Sequence, residues 1–363
     1  MKPEAGVELR ARAVETPRLR QRVGLAGDRA AAEVVLLIHG NLASGRCWED
    51  TQRALASRSR LLVAPDLRGY GGTEAKPVDA TRGLREFSED LQALLETLGL
   101  TGRRLHVVGW SLGGNVAMQL VIDRPAWWRS LTLVASGSPY GFGGTRGPDG
   151  RPCHPDFAGS GAGATSPAFI ECLRRGDRGD ASPRSPRGTV RHLLFARSFT
   201  PPPAIEELMI DGMLETALGD DHYPGDVQPS ANWPGFAPGR RGVNNALSPK
   251  YLDQSVIVDV EPKPPVLWIH GPEDAIVSDC SVSEPGGQGA RGLFKHGGRA
   301  AWPGADVHPP QPMVTQLRAV LARYAAAGGT VREESFAGCG HSPHLERPEE
   351  FRALLSGFLG ARA

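Results

Sequence analysis

Arg104-Leu-His-Val-Val-Gly109-Trp-Ser111-Leu-Gly113-Gly-Asn-Val-Ala-Met-Gln-Leu-Val-Ile-Asp123 is the stretch that decides the fold. Arg104 to Gly109 is a short apolar run and reads as a strand. Leu112 to Asp123 reads as a helix, which Pro125 ends. Between them lies Gly109-Trp110-Ser111-Leu112-Gly113, a G-x-S-x-G sequence in the strand–turn–helix setting that a nucleophile elbow requires. On so tight a turn, side chains two positions either side of the serine would collide, so glycine stands there. The turn exposes the hydroxyl and sets the next N–H at a helix N-terminus, where negative charge is stabilised.

The same alternation extends outward. Val7 to Glu15 and Leu19 to Leu25 read as a strand pair. Glu33 to His39, Arg60 to Asp66 and Ser130 to Ala135 are continuous apolar runs, as in strands buried on both faces. Cys47 to Ser57 and Phe87 to Leu98 read as helices, the latter with Ser88 as N-cap and Gly99 as stop. Pro265 to Gly271 and Thr330 to Phe336 resume the strand pattern, with helices over Met313–Ala327 and Glu349–Leu359. Alternation of this kind predicts a mostly parallel, doubly wound α/β sheet.

Two stretches interrupt it. From about Ser136 to Pro264 the chain is rich in Gly, Pro and Arg, with helical islands at Ser166–Arg174, Thr189–Phe199 and Ala204–Leu218. Asp220–Pro249 reads as irregular. Ser278–Pro312 is a second irregular run, containing His296, Trp302 and His308. The expected organisation is one α/β core, residues 1–136 and 263–363, split by an insertion over 137–262. A length of 363 residues accommodates either two units or one such interrupted domain.

Lys+Arg is 41 and Asp+Glu 40, a net charge of +1, so no global basic field calls for nucleic acid or an anionic membrane as partner. No run of about 18 apolar residues occurs, so no transmembrane helix is expected. The N-terminus carries charges throughout and does not read as a signal peptide. The five cysteines are scattered without a CxxC pair, which points to reduced thiols in a cytoplasmic protein and to no zinc site.

A serine alone is a weak nucleophile and needs a base and an orienting acid. His341, in Gly338-Cys-Gly-His341, follows the last expected strand in a glycine-flanked loop; His344 is its competitor. Asp274 stands three residues beyond Gly271, with Glu273 and Asp279 as rivals. The order Ser, Asp, His is the one an α/β-hydrolase sheet produces.

With those segments in view, the chain resembles the α/β-hydrolase superfamily. His39-Gly40-Asn41-Leu42 is similar to the family's oxyanion loop, and Asp66-Leu-Arg68-Gly-Tyr-Gly71-Gly-Thr73 to its D-x-R-G-x-G-x-S turn, with Thr for Ser. Gly338-x-Gly-His341 with Glu346 and Pro348 is similar to its terminal motif. The resemblance covers roughly residues 7–135 and 263–360. It implies Ser111 as nucleophile, His341 as general base and acid, and Asp274 as orienting carboxylate. The oxyanion hole would be the N–H of Leu112 plus that of Asn41 or Leu42. The resemblance also implies a helical cap over the serine, built from residues 137–262. Asn41, Leu42, Trp110, Tyr140, Phe142, Met209 and Met213 are the candidate substrate contacts. His39, Asp66, Arg68 and Gly71 would be structural, and His106 and His270 ordinary strand histidines.

The function so implied is hydrolysis of a carboxylic ester or lactone of a small molecule through an acyl-serine, with no metal or organic cofactor. A serine in place of an aspartate nucleophile argues against epoxide hydrolases and haloalkane dehalogenases. Amide hydrolysis of the proline-iminopeptidase type stays open, since Glu206, Glu207 and Glu215 offer an acidic pocket for a free amine. A C–C bond hydrolase, a thioesterase and a non-hydrolysing receptor on the same fold stay open too, as does the oligomeric state.

Overall fold

The computed structural model describes residues 8–294 and 301–360; His296 lies outside the described residues. Eight strands make one sheet: β1 (Leu9–Glu15), β2 (Arg20–Ala26), β3 (Glu33–Ile38), β4 (Arg60–Pro65), β5 (Arg104–Trp110), β6 (Trp128–Val134), β7 (Val266–His270) and β8 (Val331–Ser335). Their order is β1-β2-β4-β3-β5-β6-β7-β8. β1 pairs antiparallel with β2 and β2 with β4; every other neighbouring pair is parallel. Every residue of β3 is buried, as its unbroken apolar run requires. The outer strand β8 is instead mostly exposed and carries Arg332, Glu333 and Glu334, charges that discourage edge-to-edge pairing.

Helices cover both faces. α1 (Glu49–Leu55) and α10 (Pro348–Gly360) lie on one; α2 (Arg85–Thr97), α3 (Leu112–Asp123) and α9 (Met313–Ala326) lie on the other. The start of α2 differs from expectation. Ser88 is buried inside the helix and donates to Asp123 Oδ2 at 2.6 Å rather than capping it. The added start, Arg85-Glu86, is polar: Glu86 is clamped by Arg18, Arg68 and Arg82, so apolar periodicity alone does not mark it.

Residues 137–262 fold into short pieces above the carboxyl ends of the strands: α4 (Pro167–Arg174), α5 (Pro186–Thr189), α6 (Pro203–Leu214) and α7 (Val243–Ala246), with two- and three-residue strand pairs between them. The expected helix over Thr189–Phe199 begins earlier, with the Ser185 hydroxyl accepting from Gly188 N–H, and runs from α5 into one π-helical turn, Val190–Leu194. The apolar faces of α4 and α6 join the core cluster that contains Trp48 and Trp110. Among its described residues, the second irregular run contains the helix α8 (Pro285–Ala290).

Candidate active site

Ser111 sits at φ 56°, ψ −122°, a backbone conformation that costs a non-glycine residue about 1–3 kcal/mol. The surroundings hold it there: Ser111 N–H donates to Val134 O at 2.9 Å and Gly114 N–H to Ser111 O at 2.8 Å. The flanking glycines answer to close packing. A Cβ on Gly109 would fall 2.0 Å from the Gly113 carbonyl oxygen, and one on Gly113 would fall 2.4 Å from that of Ile38.

The loop after β8 brings His341 Nε2 to 2.9 Å from Ser111 Oγ, and His341 Nδ1 stands 2.8 Å from Asp274 Oδ2. The other oxygen of Asp274 accepts from the N–H groups of Ile276 and Val277, each at 2.8 Å, which fixes the carboxylate. All three residues follow the carboxyl ends of parallel strands, where open α/β sheets hold their ligands. The rivals stand elsewhere. Glu273 is exposed, and Asp279 accepts from Thr315. His344 is buried between Trp48 and Trp110, at ring separations of 4.4 and 4.9 Å. Its nitrogens have no partner among the described residues, and burial pushes its pKa down to about 3, so it is neutral.

Two further groups hold the histidine loop. Trp110 Nε1–H donates to His341 O at 2.7 Å. The buried Glu346 carboxylate accepts from Gly340 N–H at 2.9 Å and Ser342 N–H at 3.2 Å, on either side of His341, and from Ala196 N–H at 2.9 Å in the inserted segment. Burial holds the Glu346 carboxyl above the usual range, against the pull of those donors.

The loop after β3 faces Ser111. His39 Nδ1–H donates to Gly40 O at 2.7 Å, and its Nε2 accepts from Leu67 N–H at 2.9 Å, which ties this loop to the turn after β4. Burial lowers the His39 pKa, in keeping with that neutral tautomer. Leu42 takes φ 57°. The N–H groups of Asn41, Leu42 and Leu112 donate to no acceptor among the described residues. Asp66 accepts from Gly45 and Gly72 N–H, and Arg68 forks onto Asp90, so the turn residues hold structure. His106 bonds Ser130 Oγ at 2.7 Å and His270 bonds Glu333 at 2.9 Å, both within the sheet.

A cavity of about 400 Å³ opens above Ser111 and His341. Asn41, Leu42, Trp110, Phe142 and Met213 line it, and Tyr140 and Met209 do not. Tyr140 turns into the core, where its hydroxyl accepts from Arg323 at 2.9 Å. Met209 is consumed in packing α6 onto the cluster around Trp48. Sequence reading missed Phe169, Leu193 and Leu194 of the inserted segment, and Ser283 and Gln288 of the second run. It also missed Asn115, which stands four residues after Ser111 on α3, one helical turn away, a spacing that points to it. Tyr223 and Asn244 fall in the stretch read as irregular, where no periodicity flags them. Among the described residues no Asp or Glu lines the cavity, and the exposed Arg184 is the Lys or Arg side chain that reaches it.

The family model for the alpha/beta hydrolase family matches residues 35–354. The chain belongs to that family. Among curated relatives of this alpha/beta hydrolase, a pimeloyl-[acyl-carrier protein] methyl ester esterase of Aeromonas hydrophila is 35% identical over 28% of the chain and 37% of its own length. The magnesium-chelatase 30 kDa subunit of Rhodobacter capsulatus is 38% identical over 26% of the chain and 32% of its own length. The chain thus spans about a third of the curated relatives it matches. Among solved structures, a serine hydrolase from Cycloclasticus zankles superposes with a TM-score of 0.60 at 15% identity, over 97% of this chain and 98% of that one. An esterase from Rhodococcus sp. ECU1013 gives 0.58 at 17%, over 98% and 99%. Identities this low speak for the shared fold. Among the described residues of the alpha/beta hydrolase, no group of three His, Cys, Asp or Glu is placed to hold a metal, and no helix is long and apolar enough to cross a membrane.

Proposed function

We propose that this alpha/beta hydrolase cleaves a carboxylic ester or lactone of a small molecule through an acyl-Ser111 intermediate. The observation that carries the reading is the unbroken chain Ser111 Oγ–His341–Asp274, at 2.9 and 2.8 Å. His341 Nε2 takes the hydroxyl proton as Ser111 Oγ attacks the carbonyl carbon. Asp274 holds the other ring nitrogen and stabilises the imidazolium. The oxyanion forms beside the unused N–H of Leu112 and that of Asn41 or Leu42, donors each worth about 3 kcal/mol in such sites. His341 returns the proton to the leaving alcohol. It then deprotonates a water, which attacks the acyl-enzyme and releases the acid. Residues 137–262 act as the cap that keeps bulk water from this chemistry.

The lining weighs against an aminopeptidase. Glu206 and Glu207 are paired with Arg187, Arg191 and Arg178, Glu215 faces Arg46, and none of the three reaches the cavity. The test is a time-resolved p-nitrophenyl ester assay, acetate to decanoate, on wild type and Ser111→Ala. A burst in wild type that disappears in the variant is expected. Wild type inert toward every chain length removes the esterase reading.

A further inference from the structure

Among the polar side chains of the cavity wall, one connected shelf adjoins the loop after β3. Tyr70 O–H donates to Asn41 Oδ1 at 2.6 Å, Asn41 Nδ2–H donates to Asn244 Oδ1 at 3.1 Å, and Asn244 Nδ2–H donates to Thr165 Oγ1 at 2.8 Å. The buried Tyr223 phenol lies beside Thr165 and Asn244. The shelf spans two parts of the chain. Asn41 belongs to the loop after β3, while Thr165, Tyr223 and Asn244 belong to the inserted segment.

Its position relative to the nucleophile follows from Gly40. A Cβ there would lie 3.0 Å from Ser111 Cβ, so the loop touches the serine. Asn41 is the next residue, about 3.8 Å further along the chain. The shelf therefore begins one residue from the point where the loop touches Ser111, so an oxygen it receives belongs to the part of the substrate near the scissile carbonyl.

The hydrogen-bond inventory is lopsided. A primary amide brings two N–H donors, and the second N–H of Asn41 has no acceptor among the described residues. The amide oxygens of Asn41 and Asn244 are already engaged by donors of the shelf. Among the described residues no carboxylate lines the cavity to use the surplus. Asn41 is half-buried, so this N–H is left to solvent until a ligand brings an acceptor to it.

We propose that the Asn41–Asn244–Thr165–Tyr223 shelf is a recognition subsite for a second, uncharged oxygen on the substrate. The substrate class is then a 3-oxo ester, or a comparable keto- or ether-bearing ester or lactone. Asn244 is the specificity-determining residue, because it hands the inserted segment's hydrogen bonds on to Asn41. This rests on the ester-hydrolase reading above and narrows it. A plain fatty-acyl ester fits the cavity but leaves the Asn41 N–H unmatched.

The test compares methyl esters of straight-chain acids, C4 to C10, with their 3-oxo counterparts, by acid release at fixed pH. Wild type, Asn244→Leu and Thr165→Val are compared through the ratio of kcat/KM for the oxo ester to that for the plain ester. Comparing that ratio between proteins cancels the intrinsic reactivity of the keto ester. The ratio is expected to fall about tenfold in Asn244→Leu, with a fall of about threefold in Thr165→Val, which removes only the hydroxyl that holds Asn244. If Asn244→Leu does not fold, the near-isosteric Thr165→Val carries the test. Hydrolysis of both ester series with the same ratio in wild type and variants overturns the subsite while leaving the esterase intact. Hydrolysis of neither series by wild type is a different result, and it removes the esterase reading and the subsite together.

Discussion

Glu346 offers the sharpest test of how the histidine loop is held. Its carboxylate accepts from Gly340 and Ser342 on either side of His341 and from Ala196 in the inserted segment. Glu346→Ala strips three buried N–H groups of their acceptor. At about 1 kcal/mol each, the low end for stranded donors because water can enter the vacated space, the loss is about 3 kcal/mol. In a chain of this length that lowers Tm by about 5 °C. The catalytic effect should be larger. A loop that shifts the imidazole by about 1 Å costs about 100-fold in rate, so kcat should fall by that order. Glu346→Gln separates the two attachments. The amide oxygen at the Oε1 side still serves Gly340 and Ser342, while the NH2 at the Oε2 side opposes the Ala196 N–H and removes the second, 3.0 Å acceptor of Gly340 N–H. Its Tm should fall by about 2 °C and its kcat by less than tenfold. Amide hydrogen exchange reads the difference directly. Ala196 loses protection in both variants, and Gly340 only in Glu346→Ala. Unchanged Ala196 exchange in Glu346→Gln, or a wild-type kcat in Glu346→Ala, refutes the reasoning.

Two other expectations follow from close packing and burial. Gly113→Ala places a methyl 2.4 Å from the Ile38 carbonyl oxygen and 2.6 Å from that of His39, so β3 and the elbow must part. The variant should lose several °C in Tm and nearly all acylation, measured with a fluorophosphonate; wild-type labelling at wild-type Tm contradicts the packing argument. Glu284 caps α8 by accepting from Gly286 N–H at 2.8 Å and from Gly287 N–H, and burial pushes its carboxyl up to about 7 from 4.5. With a folded pKa above the unfolded one, the stability it contributes is whole below about pH 4.5 and is lost as pH rises to 7, up to about 3 kcal/mol. Urea midpoints of wild type should therefore decline from pH 5 to 8, and those of Glu284→Gln should decline less; equal slopes exclude Glu284 as the source.

The core was legible because its signals are local. An unbroken apolar run such as Glu33–Ile38 states burial on both faces, and G-x-S-x-G between a strand and a helix states a turn whose glycines have no room for a Cβ. The two strand-end loops that carry Asp274 and His341 were located by the same alternation. Where a helix end is made of charge, the alternation is silent: α2 starts at Arg85 because Arg18, Arg68 and Arg82 neutralise its acidic turn, from positions distant in the chain or off the apolar face. Tyr140 looked like a pocket aromatic in a glycine-rich loop, yet its partner is Arg323, 183 residues away.

The inserted segment illustrates why the residues that line the cavity resist such reading. Its helix α7 is four residues long, too short to show a period, and Asn244 on it is placed by Asn41, 203 residues earlier, and by Thr165, 79 residues earlier. The division follows from the chemistry. Attack on a carbonyl needs one strained serine and groups at the ends of adjacent strands, and a parallel sheet supplies those positions from local patterns. Selecting one ester over another needs side chains from separate segments to converge on an apolar wall. Such convergence is a tertiary property, bought here by hydrogen bonds between short elements that have little stability alone. The catalytic geometry and the Asn41–Asn244 contact should therefore respond differently to perturbation. Changes at Asn244 or Thr165 should alter which ester is taken, whereas changes at Glu346 or Gly113 should alter how fast any ester is cleaved. The two ester series, measured on all four variants, separate these roles without further structural input.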